Sequence, residues 1–365
     1  MLHAKDAPCE VLIRPTDQRY AEEIRQYQGC PTVAVTRGGR VYAGWYSGGT
    51  REPHMENYNL LTYSDNGGKS FLPPILVIPG SKERFVHALD IQLWIDPKGW
   101  LHVFWVQNDS KPAPAIAPER NETRIAVVVD GYLFDDFTHA CWEMVCEEPD
   151  AAELHFSAPR YLGSGFLRCK PVALADGTWL YCNYDQLSDR YGYSLSYDEG
   201  KTLKRYYGAC KLETPFDETM AYQMRDGRIR MLARTRLGQI GESYSCDNGS
   251  TWTPAQLSGI DAPNSRFFVA RTPSGRILLV YSDSAAERTN MTVALSEDDG
   301  RTWKYSQRVD TRKSISYPDV DFCGERIYLV YDRERTGAKE ILMTSFCEED
   351  VINGTVPTPW IISKP

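Results

Sequence analysis

Ionisable residues recur at one position of a repeat in this chain, and their types suit a site that handles a polar substrate. Taking one residue from each of six related segments, QGCPTVAV, ALDIQLWI, LRCKPVAL, DETMAYQM, NSRFFVAR and ISYPDVDF, gives Gly29, Asp90, Lys170, Glu218, Arg266 and Tyr317. Charged side chains are seldom buried without a partner, so carboxylates, cations and a phenol at equivalent positions are not a product of core packing. A second set of groups points into the same basin. Arg234 ends the strand after the fourth segment, Arg288 lies in the loop after the fifth, and the loop 47–59 (SGGTREPHMENYN) carries Glu52, His54 and Glu56. Together they offer carboxyl groups for proton transfer and guanidinium groups for an anion.

The elements that must hold these residues are short strands. A turn ending in or near glycine launches a run of alternating apolar residues six times: GRVYAGWY from Gly39, GWLHVFWV from Gly99, GTWLYCNY from Gly177, GRIRMLAR from Gly227, GRILLVYS from Gly275 and GERIYLVY from Gly324. The steps between these glycines are 60, 78, 50, 48 and 49 residues. That period is too long for a helical solenoid and close to that of a four-stranded propeller blade. The reading is an all-β, six-bladed β-propeller forming one domain over residues 1–365, because a closed ring cut at its middle would expose strand edges. In a propeller the first strand of each blade runs along the central channel, which brings the six starting positions together. The segment 111–155 breaks the repeat and is expected to be an irregular insertion that opens with a Pro-rich surface loop (KPAPAIAP). CEVLIRP near the start and PWIISKP at the end are candidate strands for closing the ring within one blade.

A second repeat, S-x-D-x-G-x-T-W, reads SCDNGSTW at 245–252 and SEDDGRTW at 296–303, with degenerate copies SDNGGKSF at 64–71 and SYDEGKTL at 196–203. Asp247 and Asp298 can accept hydrogen bonds from the amides of their own turn, and Gly249 and Gly300 can supply the positive φ that closes it. These aspartates are therefore expected to brace hairpins rather than to catalyse.

Four such turns, known as Asp-boxes, at blade spacing in a six-fold repeat resemble the sialidase (neuraminidase) superfamily, over residues 28–354. The resemblance implies a tyrosine nucleophile at Tyr317, in Tyr317-Pro318-Asp319 followed by IYLVYDR. It implies a glutamate base at Glu218, followed by the turn DGR and a strand ending in Arg234, and a further arginine at Arg288, in ERTNMTVALSEDDG. A phenol is a poor nucleophile when protonated and needs a carboxylate within hydrogen-bond reach. It also approaches an anomeric carbon that bears a carboxylate without the repulsion an Asp or Glu would meet. Arg234 and Arg288 would bind that carboxylate.

The family's general acid is an aspartate on the loop after the second strand of the first blade, and here that loop has none. Glu56, then Glu52, then Asp90 are the candidates, with His54 as a substrate contact. Where the family's first blade opens with R-I-P, this chain has Gly29-Cys30-Pro31. Arg266 and Lys170 are left to compensate, and Asp90 to help bind the substrate. The implied activity is that of a retaining exo-glycosidase releasing a terminal, acidic, sialic-acid-like sugar. The alternatives are a non-catalytic carbohydrate-binding propeller, and a glycan-processing enzyme with another sugar specificity or a lyase reaction.

Composition bounds the partners. A formal charge of −8 gives no average field that would attract nucleic acid or an anionic membrane. The apolar runs are strand-sized, far below the roughly 20 residues of a membrane span. The ten cysteines show no CxxC pair or zinc-type spacing, and no phosphate-cradling loop is present, so no metal or other cofactor is expected. Cysteines inside apolar strand patterns, with no apolar leader at the N-terminus, read as a cytoplasmic protein.

Overall fold

Each glycine turn reverses the chain between two apolar strands, and the strands then pair in sequence order. In the computed structural model, residues 2–114, 126–135, 139–214 and 216–365 are described, and they form six antiparallel blades around a common axis, the third divided between two sheets. The first blade contains Tyr27–Val35, Val41–Gly48, Tyr58–Ser64 and Leu76–Pro79, with Leu12–Ile13 added at its outer edge. The second contains Val86–Ile95, Leu101–Pro112, Ala140–Cys146 and Arg160–Ser164. In the third, the two inner strands are each broken into short pieces, beginning with Phe166–Leu167, and are followed by Arg190–Ser196 and Lys204–Cys210. The fourth, fifth and sixth blades are regular, with inner strands Met220–Gln223, Phe268–Arg271 and Ile315–Cys323. Apolar faces of neighbouring blades pack on one another, as where Trp94 meets Trp179 edge-on at 4.8 Å between the second and third.

Two expectations change. The irregular segment is shorter than 111–155: Ala140–Cys146 pairs along its whole length with residues 101–107 as the ordinary third strand of the second blade. Ahead of it, Ala126–Val129 and Tyr132–Asp135 form a hairpin on the extended end of Leu101–Pro112. Of the KPAPAIAP stretch, residues 111–112 continue the second-blade strand instead of forming a loop, and residues 115–118 lie outside the described residues. The two chain ends also do not share a blade. Trp360–Ser363 is the outer strand of the sixth blade, whereas Leu12–Ile13 sits on the first. The ends are instead tied by side chains, with the Ser363 hydroxyl taking hydrogen bonds from Gln28 at 3.2 Å and Arg25 at 3.3 Å.

The repeated acidic turns brace hairpins, as expected. In the 296–303 turn, Asp298 Oδ1 accepts from the Thr302 amide and from the Ser296 hydroxyl, both at 2.8 Å, and Gly300 has φ +80°. The 245–252 turn repeats this geometry, with Gly249 at φ +89°.

The channel is closed by a buried charge cluster centred on Asp319. Its Oδ2 accepts from Lys170 Nζ at 2.9 Å, Thr32 Oγ1 at 2.8 Å and the Val33 amide at 3.0 Å, while Oδ1 accepts from Arg266 Nη2 at 3.0 Å. Gln92 Nε2 is 3.3 Å from Oδ2, so five of the six blades meet at one carboxylate. Burial raises the Asp319 carboxyl, yet Lys170 and Arg266 outweigh it and hold the group below its ordinary range. Asp319→Asn strands two buried cations without their counter-charge and is expected to cost about 3–5 kcal/mol, read as a lower urea midpoint with an unchanged slope.

Candidate functional site

The inner strands reach the site through a repeated backbone device. Register slips by one residue after Gly29, Leu89 and Ser316, so that Cys30, Asp90 and Tyr317 each begin a bulge. All three have positive φ, at 56°, 58° and 56°, and Glu218 matches them at 37°. Such bulges re-aim a side chain, at some cost in backbone strain for residues other than glycine. Counting from the turns recovers the full set: Cys30, Asp90, Arg168, Glu218 and Arg266 each stand nine residues before Gly39, Gly99, Gly177, Gly227 and Gly275. Tyr317 stands seven before Gly324. The ring is therefore Cys30, Asp90, Arg168, Glu218, Arg266 and Tyr317. Gly29 and Lys170 are one and two residues away from the positions that the bulges present.

Of these, Asp90, Glu218 and Tyr317 line a cavity of about 270 Å³ at the mouth of the channel. Tyr317 donates its hydroxyl proton to Glu218 Oε1 at 2.6 Å, and both groups are buried. Arg234 Nη1 lies 2.8 Å from Glu218 Oε2 and 3.2 Å from the Tyr317 hydroxyl, and its Nε donates to Asn264 Oδ1 at 2.7 Å. Guanidinium groups also pack on the Tyr317 ring: Arg335 at 4.2 Å from the centroid, Arg168 at 5.3 Å and Arg288 at 5.6 Å. Burial, and then the charge of Glu218, hold the phenol well above its ordinary pKa. For Glu218, burial raises the carboxyl, but Arg234, Arg168 and the Tyr317 hydroxyl outweigh it, and the group titrates below its ordinary value. The ground state is thus a neutral phenol hydrogen-bonded to a carboxylate.

On the opposite wall stand Glu52 and Asp90. Glu52 accepts from the Tyr27 hydroxyl at 2.8 Å and from Arg335 Nη1 at 3.1 Å. Asp90 faces Arg168 Nη1 at 3.2 Å, and burial still pushes its carboxyl up to about 6. A Glu52 oxygen, an Asp90 oxygen and Cys30 Sγ all lie within 4.8 Å of one another. This is the group among the described residues close enough to ligate a cation, but both of its carboxyls already face guanidinium groups, which opposes a further positive charge. The rest of the cavity wall is largely aromatic and apolar, with Leu89, Val127, Phe166, Tyr184 and Phe216, and it also includes Arg51 and His87.

The cavity thus unites Tyr317, Glu218, Arg234, Arg288, Glu52 and Asp90. Four other expected residues lie elsewhere. Glu56 is exposed and pairs with Lys82 at 2.8 Å, whose hydrogen bond lowers the carboxyl. His54 is buried rather than presented to a ligand; its Nε2 lies 2.7 Å from Asp130 and its Nδ1 accepts from the Glu56 amide. Lys170 and Arg266 are committed to Asp319 below the cavity floor. The residues not anticipated are Arg168, which the nine-residue offset would have identified, and Arg335, which arrives from a loop outside the repeat.

Residues 143–329, just over half of the chain, match the family model of the BNR repeat-like domain, and the protein belongs to that family. No curated protein matches it in sequence. In fold it is similar to the NanB sialidase of Streptococcus pneumoniae, at 16% identity and a TM-score of 0.67 over 95% of this chain and 71% of that one. It is also similar to the intramolecular trans-sialidase of Ruminococcus gnavus, at 15% identity and a TM-score of 0.66 over 94% and 98% of the two chains. A protein of unknown function from Dyadobacter fermentans matches at 15% identity and a TM-score of 0.64 over 91% and 95%. The chain is thus a sialidase-like BNR propeller.

Proposed function

We propose that this cavity is the active site of a retaining exo-glycosidase that releases a terminal sugar bearing a carboxylate. The observation that carries the reading is the 2.6 Å hydrogen bond from Tyr317 to Glu218 in a cavity ringed by Arg234, Arg288 and Arg335. The sialidase and trans-sialidase activities of two fold neighbours support it by analogy.

Tyr317 attacks the anomeric carbon, and the phenol proton passes to Glu218 as the new C–O bond forms. With the phenol held high and Glu218 held low, that transfer is unfavourable before attack, so no free phenolate builds up. The guanidinium groups hold the substrate carboxylate beside the reacting carbon, where a neutral nucleophile meets no repulsion. Arg234 touches both partners of the proton transfer and keeps them aligned. The acid comes from the Glu52 and Asp90 pair, whose oxygens lie within 4.8 Å of each other; Asp90, held up to about 6, carries the proton that goes to the leaving oxygen. It then draws a proton from the water that opens the tyrosyl intermediate, and Glu218 returns the phenol proton.

Tyr317→Phe and Glu218→Gln are each expected to lower kcat by about 1,000-fold or more while circular dichroism stays unchanged. The measurement is release from a panel of aryl glycosides of acidic and neutral sugars, with peptide mapping of an adduct trapped by a fluorinated sugar. Full turnover in either variant, or an adduct on another residue, defeats the assignment.

Glu52→Gln and Asp90→Asn are expected to be far more deficient on alkyl than on activated aryl glycosides, because a good leaving group needs no acid. Glu56→Gln is expected to match the native protein on both. An equal loss on both glycosides in the Glu52 and Asp90 variants would remove the pair from that role.

The pH profile follows from the same groups. The base is lost as pH falls through the lowered Glu218 value, and the acid is lost as pH rises through about 6. Activity is therefore expected to hold across the weakly acidic range and to decline above about 6. A flat profile through neutrality would contradict the acid.

A further inference from the structure

The cavity has an arginine whose route into it depends on a glycine in another blade. A Cβ built on Gly29 would lie 2.7 Å from Arg335 Cδ and 2.8 Å from its Cγ and Nε. Real side-chain carbons do not approach so closely, so the volume a first-blade side chain would occupy is filled by Arg335 from the sixth. The loop that carries it is fastened to the first blade on both sides of Gly29. The Gln28 amide donates to the Arg335 carbonyl at 3.1 Å, and the Cys30 amide donates to Asp332 Oδ2 at 2.7 Å. That same Asp332 oxygen receives Arg335 Nε at 3.0 Å, Ser316 lies 3.3 Å from Nη2, and Glu52 takes Nη1 at 3.1 Å. The guanidinium is thereby fixed flat against the Tyr317 ring, 4.2 Å from its centroid, at the cavity wall.

We propose that Arg335 is a specificity-determining residue that binds the substrate carboxylate together with Arg234 and Arg288, and that Gly29 is the residue that admits it. The arginine missing from the first strand of the first blade is supplied across the blade boundary, through space that only glycine leaves open. Sequence comparison strand by strand does not reveal this, because the two residues lie 306 positions apart. The proposal rests on the anionic-sugar reading above and names the residue that enforces it.

The test is equilibrium binding, which needs no turnover. Free N-acetylneuraminic acid and glucuronic acid, each with its methyl ester, are titrated calorimetrically into the native protein, Arg335→Gln, Gly29→Ala and the double variant, with melting curves to confirm folding. The native protein is expected to prefer an acid over its ester. Arg335→Gln should weaken that acid by about 10- to 100-fold, the worth of a charge-assisted pair, and leave the ester unchanged. Gly29→Ala, which has room for its methyl only if Arg335 swings aside, should weaken the acid in the same direction. The double variant should be no weaker than Arg335→Gln alone, since the two changes remove one interaction. Gly29→Arg combined with Arg335→Gln should restore part of the preference.

Arg335→Gln that keeps the native preference overturns the role of Arg335 and leaves the anionic-sugar reading intact. Additive losses in the double variant overturn the role of Gly29. A native protein with no preference for either acid over its ester overturns the anionic-sugar reading and the proposal together.

Discussion

One buried carboxylate holds this ring in register. Asp319 is fully enclosed, two residues after Tyr317 on the same strand, and it gathers donors from the first, second, third and fifth blades. Two cations and one anion in a dry interior are costly unless every partner is in place. That requirement sets the heights of Thr32, Gln92, Lys170 and Arg266 along the axis. The side chains one step above are then delivered to the cavity at fixed height. Tyr317 is placed relative to the other blades by the carboxylate two residues beyond it.

Around the Tyr317 phenol the balance of charge sets the resting protonation state. The Tyr317 ring is flanked by Arg168, Arg288 and Arg335, while its hydroxyl faces Glu218 and Arg234. Positive groups would favour a phenolate, but burial and the neighbouring carboxylate win, and the proton stays on oxygen. The phenol is therefore neutral at rest, surrounded by cations that an incoming anion can share.

Much of this was legible in the sequence, because a repeat of glycine turns fixes strand order and each strand begins at the axis. Tyr317, Glu218, Arg234 and Arg288 follow from that order combined with family resemblance, and all four line the cavity. What failed did so for local geometric reasons. Lys170 and Arg168, two apart, share a strand face in a regular strand, and the sequence does not show that the inner strand of the third blade breaks between Phe166–Leu167 and Val172–Ala173, where both residues lie. Glu56 was preferred to Glu52 within one loop, whose path depends on contacts with Tyr27 and Arg335 that no local pattern encodes. His54 and Arg266 were read as ligand contacts, whereas distant carboxylates, Asp130 and Asp319, already engage them. The ring closure was misread for a similar reason: strand character at both chain ends was visible, but not which blade each would join.

The bulged positions on the inner strands of the first, second and sixth blades have a consequence for how such proteins diverge. Because their side chains leave the sheet, exchanging one alters the display at the axis while the inter-blade packing below is untouched. The scaffold behaves as a turret of interchangeable tools, with a cysteine, a carboxylate and a phenol at the three bulged stations. Shared architecture at 16% identity is then no paradox: selection on the stations and selection on the packing act on separate residues.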